Sequence, residues 1–217
     1  MTSMRAFPFL AIVSCALASC EQVNYDNQYD PASAKYVPFE RLPVTDFEDP
    51  LNKGKWGWEQ FIYPLQGGRI DHEYVVDVVG GRRSRVLKLH YFQKDSVQWV
   101  GALEQRLGGP DLARGDTLTF SLETMRLKNV ILSARGETGK EKISVVLFDL
   151  RNRFGNGESR QLDVEYRRLT IPLEPLKMGG IDPTRVFGLE VAVGLIDPNS
   201  PNVNEGTVYL DDIAFEW

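Results

Sequence analysis

The chain has 217 residues, 25% of them charged and 11% aromatic, with a formal net charge of −5. A mixed surface with a mild acid excess argues against a nucleic-acid partner, which needs a basic face. The only cysteines are Cys15 and Cys20, so beyond residue 20 no disulfide, redox pair or cysteine metal site is available and one hydrophobic core must hold the fold.

Residues 1–19 combine a lone Arg5 with an apolar run from Ala6 to Ser19. That run is shorter than the roughly 20 residues of a spanning helix and has the layout of a secretory signal. Its ending, Leu17-Ala18-Ser19-Cys20, resembles a bacterial lipobox. The resemblance implies cleavage before Cys20, acylation of that cysteine (palmitate among the chains) and membrane attachment through it. Glu21 stands where an Asp would favour inner-membrane retention, which leans the expected address toward the outer membrane. Residues 20–41 then read as a lipidated cysteine and flexible tether, polar and without period.

The domain is expected over 42–217. From Val44 onward, alternation at a period of two predicts strands. Leu87, Leu89 and Tyr91 share one face, with Val86, Lys88 and His90 opposite. Leu118, Phe120 and Leu122 form a second run, and Val130 and Leu132 begin a third. Ile143, Val145 and Leu147 back onto Val146 and Phe148, which predicts a strand buried on both faces. Leu169, Ile171 and Leu173 make a fifth, and Phe187, Leu189, Val191 and Val193 the longest alternation. In the last strand Val208, Leu210, Ile213 and Phe215 slip phase at Asp211-Asp212, which predicts a β-bulge. Gly80-Gly81, Gly108-Gly109-Pro110, Gly155-Asn156-Gly157 and Gly179-Gly180 supply turns. No stretch keeps a helical apolar period for three turns, and the pattern is that of an all-β antiparallel sandwich or jelly roll.

Catalytic signatures are absent from the sequence. His72 and His90 lie in no zinc-ligating spacing, and there is no Gly-x-Ser-x-Gly elbow, P-loop or dinucleotide fingerprint. The expectation is a non-catalytic domain.

Two terminal segments matter together. Val44-Thr45-Asp46-Phe47-Glu48-Asp49, followed by Trp56-Gly57-Trp58, opens the domain, and Gly206-Thr207-Val208-Tyr209-Leu210-Asp211-Asp212-Ile213 closes it. With Arg85–Tyr91, Gly115–Phe120 and Tyr166–Leu173 in order between them, the set resembles the galactose-binding-like jelly rolls of carbohydrate-binding module family 11. Tyr166 departs from the tryptophan usual there. The resemblance implies a jelly roll, carbohydrate recognition on the concave sheet and a structural calcium.

Pairing of the first and last strands would bring Asp46 and Glu48 near Asp211 and Asp212, and such a group repels unless solvated or neutralised. A hard cation accepts six to eight oxygens. By resemblance Glu48 and Asp211, with Asp46, are the calcium ligands; the alternative is that these acids cap turns and face water. For sugar, the regions matching the family offer the aromatic faces of Tyr91, Trp99 and Tyr166 and the polar groups of Arg135 and Asp149. The parity of Tyr91 fits a core position equally well, and Asp149 fits a turn before Arg151-Asn152. The expected protein is a lipid-anchored envelope domain that binds carbohydrate. The alternative is a structural lipoprotein that binds another envelope protein through the same fold.

Overall fold

A computed structural model describes residues 41–49, 60–64, 68–93, 100–107, 109–111, 116–118, 121–194 and 205–217. Two six-stranded antiparallel sheets pack face to face. The strands are β1 (Arg41–Thr45), β2 (Gln60–Pro64), β3 (Gly68–Val79), β4 (Arg82–Gln93), β5 (Gly101–Arg106), β6 (Gly109–Asp111), β7 (Asp116–Leu118), β8 (Asn129–Gly136), β9 (Lys142–Asp149), β10 (Phe154–Asn156), β11 (Arg160–Gln161), β12 (Arg167–Pro172), β13 (Val186–Val193) and β14 (Glu205–Glu216). Among the described residues one short helix, α1 (Leu173–Met178), follows β12.

The first sheet runs β12-β8-β14-β4-β3, and β1 joins it on β14. The long β14 shares one edge between two partners: residues 205–210 pair with β4, and residues 213–216 pair with β1. The second sheet runs β10-β9-β13-β5-β2, with β11 on β9. A separate two-stranded ribbon joins β6 and β7.

The two inward faces meet in one core. Leu87, Leu89, Val130, Leu132, Val208, Leu210 and Phe215 come from the first sheet; Leu103, Ile143, Val145, Leu147, Leu189, Val191 and Val193 come from the second. Each such side chain contributes about 1.5–3 kcal/mol by leaving water. Among the described residues, every core residue lies between Leu42 and Phe215. β9 is buried on both faces, as its unbroken apolar run requires.

The predicted bulge in β14 is present: its register with β8 shifts between Asp211 and Ala214, and Asp212 takes φ +54°. Three expectations need correction. Phe187 does not share the core face, because the register of β13 against β9 shifts between Val186 and Gly188, so Val186 points inward instead. The expected strand over Leu118–Leu122 stops at Leu118 as a described element; Leu122 enters the core from a turn. Leu173 opens α1 rather than ending β12, since Pro172 closes the strand ladder and cannot donate to it.

Candidate functional site

Of the five residues expected to meet sugar, Trp99 lies outside the described residues, as do Trp56, Trp58 and Cys20. The other four do not converge. Tyr91 is a correction: it is 1% exposed and its ring stands in the core beside Gly206, so it presents no face to a ligand. Asp149 is another. It sits, fully buried, where β9 turns toward β10, and it accepts the amide N–H groups of Arg151 (2.8 Å), Arg153 (3.1 Å) and Asp182 (2.9 Å). The guanidinium of Arg153 closes on the same carboxylate at 2.6 Å. Burial opposes ionisation there, but the N–H groups and Arg153 outweigh it and hold the pKa down at about 2. Its lone pairs are used inside the protein.

Arg135 and Tyr166 do come together, on the outer face of the first sheet. Arg135 donates through Nη2 (2.8 Å) and Nε (3.3 Å) to Asp77 Oδ2, and the Tyr166 hydroxyl donates to the same oxygen at 3.1 Å. The guanidinium lies 3.5 Å from the ring centroid of Tyr209 and 5.2 Å from that of Tyr166. Burial opposes ionisation of Asp77, yet these bonds and the Val78 amide keep its carboxyl below the ordinary range. Asp77 stands near the tip of the β3–β4 hairpin, so this network ties that tip down across the sheet. Its polar groups are mutually satisfied, as befits a brace.

The outer face of the second sheet is differently built, and the register defines its rows. One row is Tyr63, Ala102, Ala192 and Ser144, a line of small residues with a tyrosine at one end. The next is Phe61, Glu104, Glu190, Val146 and Asn156. The third is Arg106, Gly188, Phe148 and Phe154. Gly188 has no side chain because the Phe148 ring lies over it, where any Cβ would collide. Phe148 in turn touches Phe154 and Phe187 at centroid distances of 6.0 and 6.1 Å.

At the centre Glu104 and Glu190 oppose each other on adjacent strands. Tyr63 donates to Glu190 Oε1 at 2.7 Å, and Arg106 Nε donates to Glu104 Oε1 at 3.2 Å. The Arg106 guanidinium lies 4.7 Å from the Phe61 centroid and 5.6 Å from that of Phe187. Burial pushes the Glu190 carboxyl up, and the charge of Glu104 adds to this against the bond from Tyr63. Burial, then Glu190, raises the Tyr63 phenol as well. Phe61 (37%) and Phe154 (47%) keep exposed rings at the two margins. Carboxyl oxygens accept hydrogen bonds from neighbouring hydroxyls, and flanking rings offer flat apolar faces, which is the chemistry that hydroxyl-rich rings require. Sequence reading missed this face, although charged residues at the outward positions of GALEQR and VFGLEVAV marked it.

The four acids near the β14 bulge do meet. Asp46, Glu48, Asp211 and Asp212 line one pocket of about 270 Å³ together with Arg41, Arg82 and Arg83. Asp211 is 3% exposed, and burial pushes its carboxyl up to about 6. Glu48 Oε1 accepts from Ser84 Oγ (3.0 Å) and the Arg85 amide (2.9 Å), Asp46 Oδ1 accepts from the Glu48 amide (3.2 Å), and Asp212 pairs with Arg41 at 3.3 Å. The oxygen-only donor set fits a hard cation in kind. No three acid or histidine side chains among the described residues stand close enough to share an ion, and three arginines already supply positive charge. The described histidines serve elsewhere: His90 contacts Thr207 Oγ1 and Glu205 Oε1, both at 3.2 Å, and His72 is exposed.

No family model matches the chain. Among solved structures the fold is similar to that of the family 11 carbohydrate-binding module of cellulosomal cellulase Lic26A-Cel5E of Clostridium thermocellum, with a TM-score of 0.51 at 12% identity, covering 83% of this chain and 96% of that one. It is also similar to part of an exo-beta-agarase (TM-score 0.52, 10% identity, 82% of this chain) and of the agarase AgWH50C (0.50, 9%, 81%). The chain spans 25% and 26% of those two agarase chains. At these identities the likeness is one of fold: an all-β antiparallel jelly roll.

Proposed function

We propose that this chain is a non-catalytic, lipid-anchored protein of a bacterial envelope whose sandwich binds carbohydrate through the outer face of its second sheet. The observation that carries the binding reading is the hydrogen-bonded cluster of Tyr63 with Glu190 and of Arg106 with Glu104, the two acids side by side, set between the exposed rings of Phe61 and Phe154. The rings stack on the apolar side of a pyranose, and the acids hydrogen-bond neighbouring hydroxyls. That a module of similar fold belongs to a cellulosomal cellulase, and that similar folds form parts of agarases, supports the choice of ligand class.

Glycan-array screening of the chain from Glu21 onward tests it, beside the double variant Phe61→Ala/Glu190→Ala. Binding to a polysaccharide that the double variant loses is the expected outcome. Silence across β-glucans, agar, chitin and envelope polysaccharides, with a stable protein partner in its place, overturns it.

The lipid anchor rests on the Leu-Ala-Ser-Cys ending. Intact mass of the membrane-extracted protein should show a chain starting at acylated Cys20, and Cys20→Ser should release it from the membrane fraction. The calcium at Asp46, Glu48 and Asp211 belongs to the same proposal; it is supported by these acids lining one pocket, and they would have to draw closer together to share an ion. A melting midpoint unchanged by exhaustive chelation removes it.

A further inference from the structure

The tip of the β3–β4 hairpin has an unusual surface. Val76 and Val78 are 61% and 56% exposed. In register they oppose Arg85 and Arg83, and Val79 opposes Arg82 beside the two-residue turn Gly80-Gly81. Arg82 and Arg83 are exposed and carry no ion pair among the described residues, although both line the acid pocket. The acids around them are occupied: Asp77, on the face of Arg82, is held by Arg135 and Tyr166, Asp212 is paired with Arg41, and Glu48 is bound by Ser84 and the Arg85 amide. Asp211 is buried beneath. The tip thus presents two valines and two uncommitted guanidiniums on a protein whose net charge is negative.

The place of this tip on the domain adds a second argument. Arg41, where the described chain begins, lines the same pocket as Val79, Arg82 and Arg83. Twenty-one positions separate it from Cys20. The end of the sandwich that receives the segment leading from Cys20 is therefore the end that carries the exposed valines and arginines.

We infer that the β3–β4 tip is a membrane-contact surface that seats on an anionic lipid leaflet, the arginines on headgroup phosphates and the valines at the headgroup boundary. The choice of occupant rests on the proposed anchor at Cys20. Lipid attachment alone leaves the domain free to tumble; the tip fixes its orientation and holds the second-sheet face clear of the bilayer. Cations near an anionic surface and small apolar side chains each add modestly, which suits an orienting contact beside a separate anchor.

The test uses the unacylated chain from Glu21 onward, which keeps every described core residue. It is sedimented with phosphatidylcholine vesicles with and without phosphatidylglycerol. Salt-sensitive binding to the phosphatidylglycerol vesicles alone is expected. Arg82→Glu/Arg83→Glu should lower partitioning about tenfold, and Val76→Ser/Val78→Ser should lower it less. Arg82→Gln/Arg83→Gln, which adds no negative charge to the acid pocket, should also lose binding, and its melting midpoint near the parent value excludes misfolding. No binding to anionic vesicles, or equal binding by the charge-reversed variant, overturns the inference. Intact mass scores acylation of Cys20 separately: vesicle binding without acylation removes the anchor and leaves the contact. Glycan binding by the same variants should stay at the parent level, so loss of the carbohydrate reading is distinguishable from loss of this one.

Discussion

Asp149 shows how one carboxylate can be read two ways from sequence and only one way in the fold. Four N–H groups point at it, so its charge is worth more folded than unfolded. With a folded pKa of about 2 against an ordinary 3.8, its contribution is complete above pH 4 and is lost as pH falls toward 2. That contribution is about 2 kcal/mol. Asp149→Asn should lose a similar amount at neutral pH and flatten the acid limb of the stability curve, measured by denaturant unfolding from pH 2 to pH 7. Glu190 has the opposite sign. Its carboxyl keeps its proton above the usual glutamate range, so the folded state favours the neutral acid and loses that advantage as pH rises. Glu190→Gln keeps the side-chain length and an acceptor oxygen and should bind glycan more tightly than Glu190→Ala, which should bind about tenfold more weakly than the parent, the worth of one to two hydrogen bonds. Calorimetric titration separates the two; equal losses in both variants would remove Glu190 from the ligand contact.

At the scale of elements, legibility followed solvent exposure. β4, β8, β9, β13 and β14 each bury at least one face, and their alternation showed in the sequence. The bulge at Asp211-Asp212 was equally visible, because a phase slip in an apolar pattern has few other causes. β3 was not seen: GRIDHEYVVDVV is polar or exposed on both faces over most of its length, so no period of two emerges. The shift at Phe187 was invisible for the opposite reason, since an aromatic residue in phase with Leu189 imitates a core position. The site on the second sheet went unread because its residues come from β2, β5, β9, β10 and β13, and only the register aligns them. The β3–β4 hairpin carries its own prediction. Gly80 (φ +56°) and Gly81 (φ +81°) both take the left-handed conformation of a tight two-residue turn, so the hairpin forms locally; Asp77 bonds its tip to Arg135 and Tyr166, and Ser84 and Arg85 bond it to Glu48. Asp77→Ala should speed amide exchange over residues 75–85 while costing about 2 kcal/mol globally, much of it from the guanidinium left unpaired. Exchange unchanged at those amides would show that the tip is held by other contacts.

Across the whole molecule β14 is the strand on which the first sheet depends. It carries β8 along one edge and both β4 and β1 along the other, so the last strand of the chain closes pairings begun by its first. The same strand lines the acid pocket through its bulge and, two residues earlier, gives Tyr209 to the Arg135 network. Pairings between residues so distant in sequence cost loop-closure entropy before they return any burial energy, which places such a fold among slow folders, in milliseconds to seconds. Removal of residues 205–217 takes Val208, Leu210, Ile213 and Phe215 from the core and strips three partner strands of their ladder. Even at about 2 kcal/mol for each lost side chain, the deficit reaches the whole stability of an ordinary domain. The truncated chain should therefore show no cooperative unfolding transition by circular dichroism, while deletion of residues 21–40, which the sequence reads as a polar tether, should leave the transition intact. A cooperative transition in the C-terminal truncation would mean that β4 and β8 can close on each other without β14, and that the first sheet is less dependent on its central strand than its register implies.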